Sequence, residues 1–173
     1  LQDIGLLALN AVAPEVTRTL TLDADGDHTQ LQVSEKQYFG CDHATMGKWV
    51  AESWQLPEEF QYAIRGSHHP QGPDGCSTER QTLLHCVALS GRLADVWCHS
   101  DTEKAVHEAA SAANDYLALS SEDVLAILRL IPVGFSEISG FFQAHVGTAE
   151  EIERPLQTAT DLLLISAGNT VQS

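Results

Sequence analysis

Apolar residues recur three and four positions apart along this chain, and strict alternation is rare. That spacing predicts helices, not strands. A first helix is expected over Leu1 to Val12, ending near Pro14. A second follows over Pro14 to Leu22, weakened by Thr17, Thr19 and Thr21. Asp23 to Asp27 reads as a loop, and Thr29 to Phe39 as a helix ended by Gly40. Asp42 to Trp54 is the clearest helix, with Asp42 as its N-cap. Pro57, Glu58 and Glu59 suit the first turn of a helix running to about His68. Pro70, Gly72, Pro73 and Gly75 then mark a loop. Helices are expected over Glu79 to about His99 and over Asp101 to Leu117. Ser120, with Asp123 three residues on, opens another in a variant of the capping box. Pro132 is expected to interrupt or kink that helix, which resumes through Gln143. A last helix covers about Ala149 to Ala167, with Pro155 near its start and a polar tail after Gly168. The sum is an all-α bundle of about eight to ten helices. Residues 1–147 read as one helical domain, and 148–173 as a terminal helix and tail suited to join another domain.

Helical phasing places ionisable groups on inward faces. His43, Gly47, Val50 and Trp54 share one face, with Met46 beside it, and Gly47 lets a second backbone approach. Phe60, Ile64 and His68 align on the next helix, while His69 lies about 100° round. Asp95 aligns with Leu84, Ala88 and Gly91, and Asp3 with Leu7. A lone inward histidine is more often a satisfied core residue, and a lone inward aspartate a cap. Four such groups on neighbouring helices point to one pocket, because buried charge needs a partner or a metal.

Charge narrows the partners. Nine Lys and Arg stand against 24 acids, a net charge of −15. Nucleic-acid binding and anionic membranes both require clustered cations, so neither is expected. A basic protein partner is the better match. Cys41, Cys76, Cys86 and Cys98 form no C-x-x-C pair, which suits a reduced cytoplasmic setting. The longest apolar run, Leu162 to Ile165, falls far short of the ~20 residues that span a bilayer and reads as a packed helix or a connector. The chain opens on Leu1 already in an apolar pattern, as a piece of something longer would. Asp23, Asp25 and Asp27 have an EF-hand's spacing, but the glycine and glutamate positions hold His28 and Ser34. Trp49, Trp54 and Trp97 are expected in the core. His99, His107 and His145 are expected at the surface, and His85 off the Asp95 face.

Several strings together resemble a known family. L-Q-D-I-G at the start resembles the H-D-I-G segment of HD metal-dependent phosphohydrolases. F-G-C-D-H-A-T-M-G, then W-Q-L-P and H-H-P, narrow the likeness to the HDOD family, the signalling relatives of HD and HD-GYP phosphodiesterases. L-A-D-V-W resembles the late aspartate motif, and S-S-E-D-V-L-A-I-L the C-terminal helices, so the likeness runs from Leu1 to about Gln143. The resemblance implies an HD dyad at Gln2-Asp3, with imidazole replaced by amide. It implies later pocket positions at His43, His68, His69 and Asp95; a G-Y-P signature is absent. An amide oxygen is a much poorer transition-metal ligand than imidazole. The expectation is therefore a non-catalytic bacterial regulatory domain with no catalytic residue, no cofactor and no assigned metal. It would act through a protein or fused signalling domain, with a link to cyclic-dinucleotide signalling. An HD-type phosphodiesterase using Asp3, His43, His68, His69 and Asp95, and a metal- or nucleotide-binding sensor without turnover, stand as alternatives. The surviving groups also fit a phosphate anchor or a buried hydrogen-bond network.

Overall fold

The computed structural model describes residues 2–71, 77–142 and 148–170. Leu1, the Gly72 to Gly75 loop, Cys76, His145 and the end of the polar tail lie outside them. Among the described residues there are nine α-helices and no strand. They are α1 (Ile4–Val12), α2 (Pro14–Ala24), α3 (His28–Phe39), α4 (His43–Ser53) and α5 (Glu58–Gly66). After these come α6 (Thr78–Cys98), α7 (Thr102–Leu117), α8 (Ser121–Phe142) and α9 (Ala149–Thr170). Among the described residues no helix is long and apolar enough to cross a membrane.

The chain divides into two compact units, Leu1–Gly91 and Arg92–Ser173, with the boundary inside α6. In the first unit, α1 packs on α2 and α4, α2 on α3, and α4 on α5. Its core includes Leu9, Leu31, Ala44, Ala51, Ile64 and Leu84. Gly5 and Gly47 set the α1–α4 crossing: a Cβ on Gly5 would collide with the His43 carbonyl and the Gly47 nitrogen. The close approach expected at Gly47 is therefore present, and Gly5 is its counterpart.

In the second unit α7, α8 and α9 pack together. Ala105, Ala109, Ala112 and Ala113 line the buried side of α7, and their small side chains admit close neighbours. The Trp97 indole N–H donates to the Ile152 carbonyl at 3.0 Å. Ser120 and Asp123 form the reciprocal cap expected for α8, with Asp123 Oδ2 accepting from the Ser120 N–H at 2.9 Å and the Asp123 N–H donating to Ser120 Oγ at 3.2 Å. Thr148 and Glu151 repeat that arrangement at α9, a signal the sequence carried unread. Pro132 does not divide α8, which runs through it as one helix.

Some boundaries and faces differ from expectation. Helix α1 begins at Ile4, so Asp3 is its N-cap and not an interior residue. Leu7 is 71% exposed and does not share an inward face with Asp3. Trp49 and Trp54 are 50% and 63% exposed, so the core reading of both is overturned. Helix α4 buries its small residues Ala44, Gly47 and Ala51 and turns its indoles outward. Leu163 is buried, whereas Leu164 and Ile165 are exposed.

Candidate functional site

Asp3, His28, His43 and His68 each offer a ligand atom, and these atoms all lie within 4.8 Å of one another. Helix ends bring them together. Asp3 precedes α1 and makes no capping bond, which leaves its carboxylate to the junction. His28 is the first residue of α3, set by Asp27, whose Oδ1 accepts from the Thr29 and Gln30 N–H groups at 2.8 and 3.0 Å. His43 is the first residue of α4, set by Asp42, whose Oδ1 accepts from the Thr45 N–H at 2.8 Å. His68 lies in the turn just after α5. Three of the four groups thus stand at helix N-termini, where Asp27, Asp42 and Glu35 take up first-turn N–H groups of α3 and α4.

The three rings are in contact. His28 and His68 stack with centroids 5.0 Å apart, and His43 stands edge-on to His68 at 4.7 Å. Glu35, buried on α3, holds His43 in place. Its Oε2 lies 2.6 Å from His43 Nδ1 and accepts the His43 backbone N–H at 2.8 Å. A carboxylate oxygen accepts, so an N–H at Nδ1 satisfies this contact and leaves His43 Nε2 facing the junction. His68 Nε2 lies 2.7 Å from His43 Nε2, within hydrogen-bond distance, and Asp3 Oδ1 lies 3.9 Å from it.

Gln2 is buried beside this cluster. Its amide Nε2 reaches Asp3 Oδ2 at a long 3.4 Å, and its side chain fills the space that Gly91 leaves by lacking a Cβ. Gln2 Oε1, Asp3 Oδ1 and Glu35 Oε1 are buried without a hydrogen-bond partner. Orphaned buried oxygens are costly, so Asp3 Oδ1 and the adjoining Gln2 Oε1 mark a place suited to a cation or a polar ligand. Three imidazoles and one carboxylate are a donor set that zinc and neighbouring divalent metals accept. The residues present therefore fit a metal.

Of the positions singled out from sequence, Asp3, His43 and His68 meet here and Gln2 adjoins them. His69 is exposed and outside the group. Asp95 is buried in the second unit, with Oδ2 3.8 Å from Arg92 Nη1, and is also outside the group. His28 and Glu35 were missed. A readable signal existed: Asp27-His28 and Asp42-His43 are the same Asp-His step at two helix starts.

A second feature lies on the same helices. Ile4, Leu7 and Ala8 of α1, with Trp49, Val50 and Ser53 of α4 and the adjoining Trp54, line an open apolar groove.

These helices make an all-helical domain with a His/Asp junction in its first unit. Residues 1–70 match the family model described as the HDOD domain. The matched stretch holds all four junction residues and stops short of Asp95. No curated protein and no solved structure matches the chain at a significant level.

Proposed function

We propose that this chain is a non-catalytic regulatory domain of a bacterial cytoplasmic signalling protein, relaying state by contact with a protein partner or fused domain, within cyclic-dinucleotide signalling. The observation carrying this reading is Gln2. A buried amide packed against Gly91 occupies the position where the resemblance to HD enzymes calls for imidazole. Metal-activated water and phosphate polarisation depend on a complete ligand set, and amide oxygen is a weak substitute. The aromatic groove on α1 and α4 supports the contact role, because exposed Trp and Leu clusters mark binding surfaces. With a net charge of −15, the fitting partner presents an apolar anchor inside a basic rim.

Hydrolysis of bis(p-nitrophenyl) phosphate and of a cyclic dinucleotide, with Mn²⁺, Fe²⁺ or Zn²⁺ supplied, tests the reading. The expected rate equals that of metal without protein. Turnover abolished by His43→Ala would establish instead a metal-dependent phosphohydrolase. That second reading has its support in the gathering of Asp3, His43 and His68.

A further inference from the structure

We infer that the junction is a mononuclear site for a first-row divalent metal, completed by His28, with Glu35 as the positioning residue behind His43. The ligand set is Asp3, His28, His43 and His68, and it differs from the set implied by the family resemblance. His28 lies on α3, outside every motif that carries the resemblance. It supplies the third imidazole that Gln2 does not. The inference deepens the non-catalytic reading and rests on it only for the absence of turnover.

Geometry carries the assignment. Tetrahedral zinc with bonds of about 2.0–2.1 Å holds its ligand atoms roughly 3.3 Å apart. The four atoms here all lie within 4.8 Å of one another, with 2.7 Å between the two Nε2 atoms and 3.9 Å from Asp3 Oδ1 to His43 Nε2. Sub-ångström adjustments of side chains therefore reach the required spacing. Glu35 fixes the tautomer that leaves His43 Nε2 as a donor to metal, the carboxylate–histidine–metal arrangement found behind ligating imidazoles. Asp3 Oδ1 is buried with no hydrogen-bond partner and gains one in the metal. Asp27 and Asp42, the caps that seat His28 and His43, are committed to backbone N–H groups and do not compete for the ion.

The test is metal titration of the whole chain, stripped with chelator and purified without a histidine tag. Zn²⁺ binding is read by competition with a chromogenic chelator, and Co²⁺ binding by its visible spectrum. One equivalent per chain is expected, with the intense absorption of a four-coordinate Co²⁺ site. His28→Ala is expected to weaken Zn²⁺ binding by more than ~100-fold, and Glu35→Gln by ~10–100-fold. His69→Ala and Asp95→Asn, outside the group, are expected to bind as the parent does. Circular dichroism of the stripped His28→Ala chain checks folding, and His28→Gln is the second variant if alanine unfolds it. Failure of the parent to compete with the chelator overturns the inference and leaves the non-catalytic reading standing. So does a folded His28 variant that binds like the parent. One bound metal with phosphodiester turnover lost in His43→Ala upholds the site and overturns the non-catalytic reading. One bound metal without turnover upholds both.

Discussion

Asp42 shows how a single residue sets the site. It is buried at the start of α4, where its carboxylate takes the Thr45 backbone N–H and hydroxyl and the Lys36 ammonium at 2.9 Å. Burial alone would raise its pKa, but the Thr45 hydroxyl, Lys36 and the Thr45 N–H outweigh burial and hold it well below the usual carboxylate range. Its folded value is thus lower than the unfolded value of about 3.9. The stability it contributes is complete above that unfolded value and is lost as pH falls below it towards the folded one. Asp42→Ala is expected to cost about 1–2 kcal/mol near neutral pH. Urea unfolding repeated down to about pH 3 is expected to show the parent's advantage over the variant shrinking. The residue scale is also where sequence reading succeeded unevenly. Asp42 as cap and His43 and His68 as inward groups were legible from spacing. His28 was not, because a histidine at the first position of a helix has no periodic signature, and only the folded chain sets its ring against those of His43 and His68.

At the scale of elements, the α1–α4 crossing is the least forgiving contact. Gly5→Ala would force the helices apart at the His43 carbonyl and the Gly47 nitrogen, both backbone atoms that cannot rotate away. A loss of roughly 3 kcal/mol or more is expected, read as a lower urea midpoint at unchanged slope. The opposite is expected on the outer face of α4. Trp54→Ala should shift stability by less than about 1 kcal/mol, because the side chain is largely exposed, while weakening partner capture. Acrylamide should quench Trp54 efficiently for the same reason. Element order and most boundaries were readable because caps and prolines punctuate this chain strongly, as at Asp42, Pro57 and Ser120. The outward turn of Trp49 and Trp54 was not. Hydrophobic pattern reports which residues are apolar, and α4 uses Ala and Gly, not its aromatics, to meet its neighbours.

For the whole molecule, charge is the dominant field. With 24 acids against nine bases, self-repulsion opposes compactness and is screened by salt. The melting temperature is expected to rise with NaCl from about 10 mM to about 0.5 M, and scanning calorimetry checks it. Binding to a basic partner is expected to weaken over the same range. The backbone contact of Gly5 with Gly47 has one more consequence. Asp3 and His43 stand towards one end of the helix pair, and Trp49 and Trp54 towards the other. His43 lies at that crossing, its carbonyl against Gly5, so α4 carries the junction at its first residue and Trp49 less than two turns further on. Emission from Trp49 and Trp54 is therefore expected to report occupation of the groove they line, readable without any attached dye.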